Sequence, residues 1–193
     1  MKPPPLTLTG RDLSIEDVVA VARLQAGVEL AADAAARVGR SQRLVKELIE
    51  RGAVIYGVTT GLANHKGMPV PQEETEAFQR RIVLSHVVGV GPALPVDVVR
   101  AIMLTRANTL ATGGSGAGRE VIDLFMSLLN HGIHPRVPEK GSLGVTDLSH
   151  LAHIALVLLG EGEAEVDGRT VAGRDALAAA GLRPARLGPK EGL

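Results

Sequence analysis

Apolar side chains recur every three or four residues along most of this chain, the spacing of helices that bury one face. Leu13-Ser14-Ile15-Glu16-Asp17-Val18 reads as a helix start. Ser14 can cap, Asp17 lies three residues on, and Leu13 and Val18 can pack as a hydrophobic staple. Ile15, Val18, Val19 and Ala22 then recur on one face. Ser41 is expected to cap a second helix carrying Leu44, Val45, Leu48 and Ile49 and stopping near Gly52. A third runs from Glu73 to about Val88. Pro95 opens a fourth, with Val99, Ile102, Met103 and Leu110 on a shared face. Two more are expected near Val121–Leu129 and Leu148–Leu159. One strand signal stands out: Glu163-Ala164-Glu165-Val166, then Asp167-Gly168, then Arg169-Thr170-Val171, a hairpin with a tight Asp-Gly turn. The stretch from Ala176 to Leu193 reads as weakly structured rather than as a closing helix. With no repeat or low-complexity linker, the pattern predicts one mainly α domain over 1–193 with a small β-hairpin near its C-terminal end.

Composition narrows the function classes. The 193 residues suffice for a domain burying roughly 70% of its unfolded surface. Lys+Arg and Asp+Glu are equal at 21 each, so no net field draws the chain to nucleic acid or an anionic membrane. Aromatics are 2%, which leaves little capacity for stacking bases and predicts an aliphatic core. There is no cysteine, hence no disulfide, thiol nucleophile or thiolate metal site. Met1-Lys2-Pro3-Pro4-Pro5 lacks the apolar stretch of a signal peptide. The longest aliphatic run, Ile154 to Leu159, is far short of the ~20 residues of a membrane helix. The expectation is a cytoplasmic protein with neither nucleic-acid nor membrane partners.

Several segments carry candidate chemistry. Tyr56-Gly57-Val58-Thr59-Thr60-Gly61 holds the single tyrosine between glycines that permit tight turns. A tyrosinate there could act as a general base; its ring could equally anchor the loop. Leu84-Ser85-His86 puts a histidine at a helix C-terminus, where the dipole favours its protonated form. His131/His134 and His150/His153 are each three apart, a spacing that suits one helix face. No third and fourth ligand is evident, so no metal site is expected. Gly113-Gly114-Ser115-Gly116-Ala117-Gly118-Arg119 lacks the Lys-Ser/Thr of a phosphate loop and follows a helix. It is read as a helix–helix connection.

Taken together, these segments resemble the histidine and aromatic amino-acid ammonia-lyases and related aminomutases. The matching stretches are Val54 to Gly61, Leu84 to Gly91, Arg106-Ala107-Asn108-Thr109-Leu110-Ala111, Ile133 to Pro138, Gly141-Ser142-Leu143-Gly144, Leu151-Ala152-His153 and Leu159 to Ala164. They occur in family order. The resemblance implies the N-terminal part of a mainly α-helical fold that assembles as a homotetramer with composite active sites. It implies Tyr56 as the catalytic base that removes the substrate's β-proton, His86 as a residue lining the substrate pocket, and Thr59, where the family usually has Asn, as a substrate contact.

The same resemblance exposes two departures. The loop after Gly144 is where the family's Ala-Ser-Gly cyclises into methylidene-imidazolone. Here Gly-Ala-Ser-Gly-Asp-Leu becomes Gly144-Val145-Thr146-Asp147-Leu148, and the ring glycine is missing. Val145 crowds the ring position, so no imidazolone cofactor is expected. Leu62-Ala63 replaces Phe-Gly, and Ser149-His150 replaces Ala-Pro. Second, family members run more than twice as far, and their C-terminal helical bundle supplies further pocket residues. The expectation is therefore one subunit of a split, imidazolone-free lyase acting on an amino-acid-like substrate, in a hetero-oligomer with a separate C-terminal lyase-like chain. Without the imidazolone, activation would fall to a better leaving group, to His150, or to an anion held at a helix N-terminus around Asp147. The competing expectation is a non-catalytic scaffold or regulatory partner of a lyase homologue.

Overall fold

The computed structural model describes residues 3–144 and 148–193. Ser14 and Asp17 start the first helix as their spacing predicts: the Ser14 hydroxyl accepts from the Asp17 N–H, and the Asp17 carboxylate accepts from the Ser14 N–H. This helix, α1 (Ile15–Ala22), joins two short parallel strands, β1 (Leu6–Leu8) and β2 (Val28–Leu30). Its buried side is Val21 and Ala22, with Val18 packed against the core, while Ile15 and Val19 are exposed. The predicted Ile15/Val19 face is thus corrected by one helical step.

The second helix, α2 (Ala32–Glu50), begins nine residues before the expected cap. Ser41 lies inside it. The alanine-rich opening propagates helix by intrinsic propensity without showing a periodic apolar face, and Ala34 and Val38 bury its first half. After two short 3₁₀ turns, α3 (Thr75–His86) leads to strand β3 (Val90–Ala93) and then to α4 (Val96–Ala111). Next come α5 (Arg119–Asn130), β4 (His134–Pro135), β5 (Pro138–Lys140) and α6 (Leu148–Leu158). The chain closes with β6 (Glu163–Val166), β7 (Arg169–Ala172) and α7 (Gly173–Ala179).

Helix α4 is the central rod. Val99, Met103, Ala107 and Leu110 bury one stripe and Leu104 and Ala111 the next, so α1, α2 and α5 can pack around it. The adjoining stripe also carries Arg100, 2% exposed. Its Nε donates to the Val21 carbonyl at 2.9 Å and its Nη1 to the Leu129 carbonyl at 3.0 Å, tying the ends of α1 and α5 together. Helix α3 packs on α6, completing a single aliphatic core.

The β6–β7 hairpin forms as expected, with Asp167 at φ 50° and Gly168 at φ 72° making its turn, and β4 adds a third antiparallel strand. β3 pairs antiparallel with β5. The strands outside the hairpin span two to four residues, too few to show a period of two. Gly113 and Gly116, at φ 77° and 81°, turn the chain between α4 and α5 as a helix–helix connection. Two expectations are corrected. His131 follows the last turn of α5 and His134 lies in β4, so they share no helix face. The stretch after Ala176 is not loose: α7 runs through it to Ala179, and Leu177 and Leu187 are buried. Among the described residues, no helix is long and apolar enough to cross a membrane.

Candidate active site

Past α2 the chain turns tightly around the Ile55 carbonyl, which accepts from the N–H groups of Val58, Thr59 and Thr60. Thr59 closes this turn from inside. Its hydroxyl donates to the Ala53 carbonyl at 2.9 Å and accepts from the Ile55 N–H at 2.8 Å. Tyr56 stands at the turn's outer edge, 51% exposed, and its phenolic oxygen accepts from the Ala63 N–H at 3.0 Å. That contact directs the O–H away from Ala63. Gly57 has φ +69°, and a Cβ there would meet Leu193 Cδ1 at 2.6 Å. The positive φ is what favours glycine here, since the leucine methyl groups can move aside.

Helix α3 carries Gln79, Ile82, Val83 and His86 along one face. Gln79 is wholly buried; its Nε2 donates to the Gly57 carbonyl at 2.9 Å and its Oε1 accepts from the Gly192 N–H at 2.8 Å. His86 is the last residue of α3. Its Nδ1 lies 2.7 Å from the Ile82 carbonyl, which can only accept, so Nδ1 donates, and in the neutral ring the lone pair is then on Nε2.

His86 faces a narrow, mostly apolar cavity of about 70 Å³ shared with Arg106, Phe125, Leu148, Glu191 and Leu193. Arg106 donates through Nη2 to the Leu193 backbone oxygen at 2.9 Å. The Glu191 carboxylate accepts from the Gly118 and Gly188 N–H groups, both at 2.6 Å, while burial pushes its pKa above the ordinary carboxylate value. Lys190 reaches the Tyr56 carbonyl at 3.5 Å.

Leu148, the first residue of α6, stands in the wall of this cavity. Gly144, at φ +75°, begins the degenerate loop and donates its N–H to Ser142 Oγ at 3.0 Å. Val145, Thr146 and Asp147 lie outside the described residues. Ser149 is buried against Gly141, and its Oγ has no hydrogen-bond partner among the described residues. His150 Nε2 is 3.3 Å from the Glu139 carbonyl. His153 accepts from the Gly89 N–H at 3.2 Å, and burial, then His150, lower its pKa. Among the described residues no cluster of three or more His, Asp or Glu could hold a metal ion.

The structure thus gathers the Tyr56 loop, His86 and the start of α6 around Gly192–Leu193, whereas the Thr59 hydroxyl is spent on closing its own turn. Sequence reasoning gave no role to Arg106, Glu191 or Gln79. For Gln79 a signal existed: one uncharged polar residue on the otherwise apolar buried stripe of α3.

Comparison with known proteins bears on the family and the fold. The family model described as aromatic amino acid lyase matches residues 13–193. A histidine ammonia-lyase of Treponema denticola is 48% identical over 194 residues, covering 100% of this chain and 38% of that protein. The crystal structure of the ergothioneine-degrading enzyme ergothionase from Treponema denticola superposes with a TM-score of 0.95 at 36% identity, over 97% of this chain and 38% of that one. The tyrosine aminomutase from Streptomyces globisporus gives a TM-score of 0.93 at 39% identity, over 98% of this chain and 36% of that one. The chain therefore spans a little over a third of the length of these relatives. With its mainly α fold and a family model matched over nearly its whole length, the chain belongs to the aromatic amino acid lyase family.

Proposed function

We propose that this chain carries the base of an elimination site for a histidine-like amino acid or its betaine. Tyr56, as phenolate, takes the β-proton; the C–H electron pair forms the Cα–Cβ double bond, and the amine departs with the electrons of the C–N bond. The observation that carries this reading is Tyr56 itself, a half-exposed side chain on a closed turn whose oxygen is oriented by the Ala63 N–H. His86 Nε2, which holds the lone pair in the neutral ring, suits an N–H of the substrate's imidazole. The substrate class draws on the relatives, named for histidine and for ergothioneine, a histidine betaine.

Between Gly144 and Leu148 stand only Val145, Thr146 and Asp147, with neither the serine nor the ring glycine that the family's methylidene-imidazolone is made from. These residues do not fit that group. A quaternary ammonium, which leaves as a neutral amine, lessens the need for a built-in electrophile and favours the betaine. Intact-mass spectrometry checks this: the expected mass is that of the unmodified sequence, and a chain lighter by two waters overturns it.

The reading includes the C-terminal region that relatives carry beyond the matched third. That region is supplied as a separate lyase-like chain in a cytoplasmic hetero-oligomer or within the same polypeptide, and assays contain it. With L-histidine, its trimethylated betaine and aromatic amino acids as substrates, Tyr56→Phe should lower turnover by roughly 10²–10⁴-fold with folding unchanged. Wild-type turnover in Tyr56→Phe would remove the base assignment. Absence of turnover on every substrate, together with an altered rate in a complete lyase homologue, would replace it with the regulatory-subunit reading.

A further inference from the structure

From the bonding of its two amide atoms we infer that Gln79 is a positioning residue for the Tyr56 loop, setting the phenolic oxygen relative to His86. The inference rests on Tyr56 being the base. Gln79 has no solvent exposure, and a buried amide is tolerated only when its polar atoms are paired. Both are. The Gly57 carbonyl can only accept and the Gly192 N–H can only donate, so the partners fix the orientation of the amide.

The pin falls one residue from Tyr56. Among the described residues, the remaining hydrogen bonds of residues 54–61 stay within residues 53–70, apart from the Lys190 contact at 3.5 Å. Thr59 gives the turn its shape but does not attach it to the helices. Gln79 does, from the buried face of α3. Its second bond holds Gly192, where any side chain would run into the α3 backbone at Gln79 itself. Two turns further along the same face, about 10.5 Å by helix geometry, stands His86. One rigid rod therefore carries both the pin for the base and the pocket histidine.

The lone tyrosine and absence of tryptophan make Tyr56 the sole strong fluorophore of the chain, so its motion is readable without a substrate. Two variants serve. Gln79→Glu keeps an acceptor for Gly192 but turns an oxygen towards the Gly57 carbonyl; Gln79→Met has similar length and pairs with neither. In the 193-residue chain, both should raise the amplitude of the nanosecond component of Tyr56 anisotropy decay by about twofold or more, with unchanged circular dichroism. In the active assembly, turnover should fall about 10–100-fold, as for a misplaced reacting group, with KM nearly constant. The isotope effect with β-deuterated L-histidine or its betaine should rise. A mere loss of folded protein would lower turnover without moving the isotope effect.

Unchanged anisotropy in well-folded variants overturns the inference. So does failure of both variants to keep wild-type circular dichroism, which would make the amide a requirement of the fold. If Tyr56→Phe is inactive while the Gln79 variants behave as wild type, only the positioning role fails. If Tyr56→Phe is active, the base assignment fails with it.

Discussion

His134 shows how far packing moves a single side chain. Buried in β4, it is pushed down to about 4, first by burial and then by the charge of Arg100, with Asp167 opposing. Its Nδ1 has no hydrogen-bond partner among the described residues. The unfolded chain takes up a proton near the ordinary histidine value of about 6.5, whereas the folded chain does not until about 4. Between these values the unfolded state binds more protons, so stability falls as pH is lowered through the window. By linkage the loss approaches roughly 3 kcal/mol at its acid end. Urea unfolding at pH 7 and pH 4.5 should show a drop that His134→Gln largely abolishes; an equal drop in the variant would assign it to other groups. At this scale the sequence was half legible. Tyr56 and His86 stand in recognisable motifs. The burial of His134 and Arg100 depends on what packs over them from distant segments, and nothing local marks it; Gln79 is marked only by its uncharged polarity on the buried stripe of α3.

Elements were legible where local chemistry decides them. The Ser14–Asp17 capping box and the Asp167–Gly168 turn were readable because every participating atom lies within a few residues. The start of α2 was not, since the alanines from Ala31 to Ala36 give no apolar contrast. Strands such as β1 and β5 exist through their partners and have no pattern of their own. Arg100 acts between elements: it satisfies carbonyls at the C-terminal ends of both α1 and α5. Arg100→Met keeps much of the volume but strands the Val21 carbonyl, at about 1–3 kcal/mol, and leaves the Leu129 carbonyl only the backbone N–H groups of the α5 C-terminal turn. Denaturant unfolding should therefore show a loss of about 1–3 kcal/mol. A loss under about 1 kcal/mol would mean that water or neighbouring donors replace the guanidinium.

At the scale of the molecule, large apolar side chains remain on the surface: Leu143 is 93% exposed, Val54 85% and Ile15 79%. Exposure of this kind favours association. Static light scattering of the 193-residue chain by itself should give a mass above the monomer value; a clean monomer at micromolar concentration would show that these side chains are tolerated in water. The segment around Glu191–Leu193 has a different consequence, one of time. Its contacts reach back 73 residues to Gly118, 87 to Arg106 and 113 to Gln79. During synthesis from the N-terminus, Tyr56 emerges early, yet the amide that pins its loop is satisfied only once Gly192 has left the ribosome. Until then the nascent chain holds its base residue on a loop with an unfinished anchor, and the pocket assembles last from residues made first.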